Sequence, residues 1–73
     1  MKWYDTRKIK PPVGQSIIFA CDDNKVYMGY MHSNGWFYDY GREVAVPYEY
    51  AGRPGETIAI WWADVPEHHG ERT

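Results

Sequence analysis

Alternating apolar and polar residues near the start of the chain predict β-strands rather than helices. Over residues 16–21, Ile17, Phe19 and Cys21 fall on one face of an extended segment, because successive side chains of a strand point to opposite sides. The four polar residues that follow, 22–25, are typical of a tight turn, since Asp and Asn bond to their own backbone and tolerate left-handed geometry. The pattern therefore predicts a first strand that ends in a turn.

The next segment predicts a second and a third strand joined by a hairpin. Residues 26–32 alternate as a strand, and Gly29 within it indicates a bulge or a place where an aromatic ring lies close to the backbone. Asn34 and Gly35 follow, and Asn-Gly between apolar runs is the strongest short signal for a hairpin. Residues 36–40 then predict the third strand, since aromatic residues favour strands.

The second half of the chain is predicted to be looser and to end in one more strand. Residues 41–56 contain two prolines and three glycines, so we expect a long excursion loop there, with a short extra strand around 44–46. Residues 57–62 form the most β-prone run, with Ile58, Ile60 and Trp62 on one face, and they predict a closing strand over 57–66.

These predictions combine into a mainly β fold, a small antiparallel meander of about four strands with a long excursion loop and little or no helix. A chain of 73 residues forms one domain at most, and folding at this size buries only about 60 % of the unfolded surface. The expected parts are an N-terminal arm (1–14), a three-strand meander (15–40), the loop (41–56), the closing strand (57–66) and a flexible tail (67–73).

Composition adds an excess of aromatic rings. The chain has four Trp, seven Tyr and two Phe residues but no leucine, and a four-stranded sheet of this size cannot cover so many rings. Trp61 and Trp62 are adjacent, so on a strand their rings must face opposite sides. One ring can enter the core, and the other needs a second layer, a dimer partner or a bound macromolecule. A folded-back arm, with Trp3 and Tyr4 covering the open face of the sheet, is the purely structural alternative.

The aromatic excess favours a protein-binding surface, because Trp, Tyr and Arg dominate the energetics of protein interfaces. The loop over 41–56 is the sharpest candidate for such a surface. The residues expected to contact a partner protein are Arg42, Tyr48, Tyr50, Arg53 and Trp61. A related alternative is a homodimer formed through an exposed strand edge or through the face that carries the second Trp.

Charge points to a second alternative, a module that binds single-stranded nucleic acid. The net charge is −2, yet residues 1–10 carry four basic side chains against one Asp and form a basic arm on an acidic body. Phosphates would meet the arm while bases stack on surface rings. The residues expected in that role are Lys2, Arg7, Lys8, Lys10, Tyr27, Trp36 and Tyr38. The acidic body disfavours this alternative, since phosphate neutralisation supplies most of the affinity.

Cysteine usage and apolar patterning predict a cytoplasmic protein without membrane contact. Cys21 is the only cysteine, so we expect no intrachain disulfide and no oxidising compartment. No apolar run follows the N-terminal basic residues, so no signal peptide is expected. The apolar runs are also far shorter than the roughly 20 residues of a membrane-spanning helix.

No constellation in the sequence predicts catalysis or metal binding. Cys21 and His32 are the closest approach to a nucleophile and a base, but no third group would orient them, and we interpret them as a buried core residue and a turn residue. His68 and His69 are adjacent and would point in opposite directions in an extended tail, which makes a shared metal ion unfavourable. We therefore expect a protein without enzymatic activity, cofactor or small-molecule substrate.

The order of short motifs carries a family resemblance. An early tryptophan is followed by a proline segment, an apolar strand, a Y-x-G-Y strand, an aromatic strand and a final W-x-x-V-P motif. These are Trp3, Pro11-Pro12, Ile17-Ile18-Phe19, Tyr27-Met28-Gly29-Tyr30, Trp36-Phe37 and Trp62-Ala63-Asp64-Val65-Pro66. The chain thereby resembles, over nearly its whole length, the small bacteriophage and prophage proteins of domain-of-unknown-function family 551. The resemblance implies a phage or prophage origin and no established catalytic residues.

These observations predict a small phage-type accessory protein that acts by binding a host protein without catalysis. Inhibition of a host factor, such as a component of a defence system, is the kind of role that such a protein would have.

Overall fold

The structure, a computed structural model, describes residues 1–65. These residues form one antiparallel sheet and a single turn of 3-10 helix. The strands are β1 (Tyr4–Asp5), β2 (Ile17–Cys21), β3 (Val26–Met31), β4 (Phe37–Asp39), β5 (Arg42–Ala45) and β6 (Ala59–Asp64), and the 3-10 helix spans Tyr48–Tyr50. The order across the sheet is β1-β6-β2-β3-β4-β5. The mainly β prediction is confirmed, whereas the flexible tail predicted over 67–73 lies outside the described residues.

The prediction of about four strands is wrong, because the sheet has six. The two additional strands are short and lie at the two edges of the sheet, where a strand needs only one neighbour. β1 has two residues, too few to show an alternating pattern, and it pairs with β6. β5 begins two residues earlier than the extra strand expected around 44–46, and it starts with the charged residues Arg42 and Glu43.

The core lies on one face of the sheet and is built around β2. Ile17, Phe19 and Cys21 are buried, as the alternation predicts, and the neighbouring side chains Ile18 and Ala20 are only half-buried on the opposite face. Around them lie Met31, Phe37, Ala45, Ala59 and Trp62. The rings of Phe19 and Phe37 lie 5.2 Å apart. Burying a side chain of this size contributes about 1.5–3 kcal/mol, so each of these rings matters in a chain of 73 residues.

An irregularity in β6 decides which of its side chains enter the core. Ala20 is opposite Trp61, while the next residue, Cys21, is opposite Ala59, so Ile60 is an extra residue with no partner on β2. This bulge turns both Ala59 and Trp62 towards the core. The prediction that Ile58, Ile60 and Trp62 share one face is thus wrong for Ile60, which is half-buried, whereas Ile58 and Trp62 are each only 4 % exposed.

The N-terminal arm folds back and is fixed to β6. The ring of Tyr4 stacks on that of Trp62 with centroids 4.6 Å apart. The buried hydroxyl of Thr6 donates to the carbonyl of Ala59 at 2.8 Å, and the indole N–H of Trp62 donates to the carbonyl of Ile9 at 2.8 Å. Buried polar groups are costly unless they are paired, so these two bonds hold the arm in one position.

The predicted excursion loop is anchored at both of its ends. Val46, directly after β5, forms a parallel bridge with Ile58, directly before β6. Its N–H donates to Thr57 at 2.8 Å, and its carbonyl accepts from the N–H of Ala59 at 3.2 Å. The 3-10 helix lies in the segment between these anchors, so the loop contains more regular structure than its Pro and Gly content indicates.

Gly29 lies against the backbone of the neighbouring strand. This corrects the expectation that an aromatic ring lies close to this glycine, because the nearest atoms belong to the main chain. A Cβ atom at this position would overlap the carbonyl oxygen of Tyr38 on the neighbouring strand β4. Backbone atoms cannot move aside as a flexible side chain does, so only glycine fits here.

Replacing Gly29 by alanine should therefore destabilise the fold strongly. We expect Gly29→Ala to lower the free energy of unfolding by about 2–4 kcal/mol, because β3 and β4 must separate to admit the Cβ atom. The matched control is Gly41→Ala, where φ is +86° but no atom lies within 4 Å of the added carbon, and about 1 kcal/mol is expected. Urea unfolding followed by Trp fluorescence measures both variants. Equal losses would show that β3 and β4 are not in close contact.

Candidate protein-contact surface on the outer face of the sheet

The face of the sheet that points away from the core is apolar across three neighbouring strands. Ala20 is directly opposite Val26 on β3 and Trp61 on β6, and directly opposed residues share a face. The next row, two residues along, pairs Ile18 with Met28 and with Ala63. Since Phe19 and Trp62 point into the core, these two rows point away from it. We call this side of the sheet the outer face. Besides the two rows, it includes Trp3 before β1, Asp5 on β1, Tyr30 on β3, Tyr38 on β4 and Tyr40 after β4.

Large apolar side chains on the outer face remain in contact with water. The exposed fractions are 61 % for Val26, 47 % for Met28, 43 % for Trp61 and 40 % for Trp3. With about 150–250 Å² of surface on a side chain of this class, the four together leave roughly 400 Å² exposed. A contiguous patch of that size on a small monomer is often a functional surface.

A groove of about 370 Å³ opens on this face. Its lining residues are Trp3, Ala20, Val26 and Trp61, and none of them carries a charge. The small side chain of Ala20 lies between the larger side chains of Val26 and Trp61, so a methyl group is flanked there by bulkier residues.

Aromatic residues extend the outer face over β3 and β4. Tyr30 alternates with Met28 on β3, and its ring stacks on that of Tyr38 with centroids 5.7 Å apart. The hydroxyl of Tyr40 lies 3.9 Å from the sulfur of Met28, and 81 % of Tyr40 is exposed. The outer face is therefore a continuous apolar and aromatic surface rather than a set of isolated exposed residues.

The carboxylate nearest to the groove is already paired. Asp5 is directly opposite Trp61, and it accepts hydrogen bonds from the backbone and side chain of Arg7, with the guanidinium Nη2 at 2.8 Å. These hydrogen bonds lower the pKa of Asp5 to about 2. A ligand that enters the groove therefore meets a neutral ion pair at this edge rather than a free negative charge.

The structure does not unite the five residues predicted to contact a partner. Tyr48 and Tyr50 lie on the 3-10 helix, where the guanidinium of Arg53 lies 5.2 Å from the centroid of the Tyr50 ring. Arg42 lies at the start of β5, next to its cross-strand partner Asp39 on β4. Trp61 lies on the outer face, and it is the one member of the predicted set that lines the groove.

Contacts within the protein account for the tyrosines of the 3-10 helix. The guanidinium of Arg7 lies 4.7 Å from the centroid of the Tyr48 ring, and the Trp36 ring meets Tyr50 edge-on at 5.7 Å. Lys10 forms an ion pair with Glu49 at 3.2 Å. These rings therefore pack the N-terminal arm and the β3–β4 hairpin against the loop, and both tyrosines are half-buried.

The cations predicted to bind phosphate are largely engaged in the folded chain. Arg7 pairs with Asp5, and Lys10 pairs with Glu49. The ammonium of Lys2 lies 5.4 Å from the ring centroid of Tyr4. Lys8, the fourth predicted residue, lies exposed in the turn after β1. The basic arm is thus less available to phosphates than its sequence indicates.

The three rings predicted to stack on bases do not form one platform. Tyr27 packs against Phe19 on the core side with centroids 5.6 Å apart, and its hydroxyl donates to Asp23, which raises the pKa of Tyr27 to about 12. Trp36 contacts the 3-10 helix, and Tyr38 lies on the outer face. Successive bases of one strand could not stack on rings that point in these different directions.

Cys21 and His32 lie at opposite ends of β3. The backbone N–H of Cys21 donates to Lys25, which precedes β3, and His32 directly follows its last residue, Met31. A six-residue strand spans about 20 Å, so the two side chains cannot act as nucleophile and base. Burial raises the pKa of the Cys21 thiol to about 12, and the nearby carboxylates of Asp22 and Asp23 act in the same direction.

The described residues contain neither a metal-binding cluster nor a membrane-spanning helix. Within residues 1–65, no three His, Cys, Asp or Glu side chains are grouped so that they could hold a metal ion. No helix in this part of the chain has the length and apolar character needed to span a membrane. His68 and His69 lie outside the described residues.

Sequence reasoning missed Trp3, Val26 and Met28 as members of the candidate site. A signal for two of them was present, since residues 26–31 are apolar on both faces of the strand, as expected for a strand with a second surface to cover. Trp3 could not be placed in this way, because its position depends on the pairing of a two-residue strand with a segment more than fifty residues away.

No family model, no curated protein and no solved structure matches the chain. The resemblance to the phage family of unknown function therefore stays a prediction.

The Cys21 thiol should be unreactive in the folded protein. We expect a chromogenic disulfide reagent to modify it at least about tenfold more slowly in the native protein than in guanidinium chloride, because burial favours the neutral thiol. The same shift stabilises the fold below about pH 9, and this contribution is lost as the pH rises towards about 12, where the buried thiol ionises. Equal reaction rates in the two solvents would contradict the burial of Cys21.

Proposed function

We propose that this protein acts by binding another protein, without catalysis, through its outer face. The observation that carries the proposal is the uncharged groove between Trp3 and Trp61, in the middle of an exposed apolar surface. Interface energetics are dominated by a few aromatic anchors that are surrounded by weaker contacts, and two exposed indoles beside a groove supply such anchors.

The partner class follows from the chemistry of this surface. A nucleic acid is bound mainly through its phosphates, yet the groove has no cation in its lining and the chain carries a net charge of −2. A membrane surface would require a cluster of basic residues around the apolar patch, whereas the groove has no cation in its lining and Arg7, two residues after Asp5, is paired with that carboxylate. A protein with a complementary apolar patch fits these properties better than either.

The biological setting is proposed from the family resemblance. A cytoplasmic accessory protein of phage or prophage type would use its outer face to bind a host protein and to block that protein's own contacts, as an inhibitor of a defence system does. Small size and an apolar contact surface suit this role, because blocking an interface needs affinity and shape rather than a reactive group.

The test is capture of a host protein by tagged chain and by a Trp61→Ala variant. We expect the variant to bind the captured host protein at least about thirtyfold more weakly, the loss typical of a central interface tryptophan. Stability should fall by about 1–3 kcal/mol without loss of the fold, because Trp61 points away from the core but more than half of its surface is covered by its neighbours. Quantitative titration of the captured protein with both chains measures the ratio of the two affinities.

Ile9→Ala is the matched control for Trp61→Ala. Ile9 is also an exposed large apolar residue, at 49 %, but its carbonyl contacts Trp62, on the side of β6 opposite to Trp61. The control should bind as the unmodified chain does. Capture that survives Trp61→Ala, or that is lost equally in Ile9→Ala, would refute the assignment of the outer face.

A second titration addresses the nucleic-acid alternative. We expect labelled single-stranded DNA to give no saturable signal at low salt, because Arg7 and Lys10 are already paired with carboxylates. The positive comparison is Glu49→Gln, which frees Lys10 and should increase any residual association. Tight binding that weakens steeply with added salt would replace protein binding by the nucleic-acid function.

A further inference from the structure

We infer that a second copy of this chain docks on the outer face, with Trp61 of each copy entering the groove of the other. The inference rests on the proposed function, since it takes the outer face to be a protein-contact surface and names the protein that covers it in the purified chain.

Self-complementarity is the first argument. In a two-fold interface the same patch serves both partners, so every projection needs its matching recess on the same surface. Here the projecting indole of Trp61 and the recess over Ala20 are directly opposed residues on neighbouring strands. A two-fold axis that passes between them, parallel to the strands and to the outer face, would place each indole over the partner's Ala20. One projection and one recess per copy are then both satisfied.

The absence of charge in the groove is the second argument. Identical surfaces repel each other when they carry unpaired charges of one sign, because each charge meets its own copy. The groove is lined by Trp3, Ala20, Val26 and Trp61 alone, and the nearest carboxylate, Asp5, is paired with Arg7. The outer face can therefore meet its own copy without such a penalty, despite the net charge of −2.

The area available sets the strength of the contact. About 400 Å² is exposed on the four large apolar residues, and Tyr30, which alternates with Met28 on β3, enlarges the surface. Two such faces would bury on the order of 1,000 Å² in total, at the low end of specific interfaces. A dimer of this size dissociates at micromolar to millimolar concentrations. A host protein would then bind by exchange, taking the place of one copy.

Sedimentation equilibrium of the full chain over a wide concentration range tests the inference. We expect the mean mass to rise from the 8.6 kDa of one chain towards twice that value as concentration increases, with a blue shift of Trp fluorescence over the same range. Trp61→Ala removes the projection and Ala20→Leu fills the recess, so each should raise the dissociation constant at least about tenfold. Ile9→Ala should leave it unchanged.

Both variants alter outward-facing side chains, and urea unfolding of each confirms that the fold is retained before the masses are compared. A chain that remains monomeric at millimolar concentration would overturn the inference. So would a dimer that is insensitive to Trp61→Ala and Ala20→Leu, since it would form through another surface, such as the edge of β5.

The outcomes separate this inference from the proposed function. A monomeric chain that captures a host protein through Trp61 overturns the dimer and keeps the function. A dimer that depends on Trp61 and Ala20, in a chain that captures no host protein when diluted to the monomer, supports the inference and removes the host partner.

Discussion

The fold and the candidate surface both depend on one constraint, that two adjacent indoles on a strand must point to opposite sides of the sheet. β6 lies between β1 and β2, so both of its backbone edges are paired with neighbouring strands. Its side chains point either into the core or to the outer face. Trp62 fills the core, stacks on Tyr4 and ties the arm through its indole N–H. Trp61 is thereby left on the outer face. A chain with one of these tryptophans replaced by a polar residue would keep either the core or the surface, but not both.

The aromatic excess noted in the sequence divides into two groups once contacts are known. Tyr27, Tyr48 and Tyr50 are half-buried, and each packs against another ring or a guanidinium within the chain. Such rings need no partner molecule to explain them. Among the described residues, the exposed indoles of Trp3 and Trp61 lie on the outer face, and they rather than the composition as a whole support the proposed binding.

The sequence predicted the parts of the fold that depend on local alternation and missed those that depend on distant pairing. The burial of Ile17, Phe19 and Cys21 follows from a period of two, and the hairpin at Asn34 and Gly35 follows from turn chemistry. The bulge at Ile60 has no local signal, because it exists only relative to β2. Adjacent side chains of a strand point to opposite faces, and this local rule led to the prediction of Trp61 as a contact residue and of Trp62 as a core residue. The neighbours of Trp61 in the groove come from three other strands or segments, and single-sequence patterning cannot align these.

The character of the two edge strands explains why we propose that a partner binds the outer face of the sheet rather than one of its edges. An exposed strand edge offers unpaired backbone groups to another chain, and proteins limit this by making edge strands short or charged. β1 has only two residues, and β5 begins with Arg42 and Glu43. Neither edge offers a long apolar strand for pairing. The outer face has the opposite character: it is broad, apolar and free of unpaired charge around the groove. With its edges protected in this way and one face closed by the core, the described part of the chain leaves the outer face as the surface on which we expect a partner to bind.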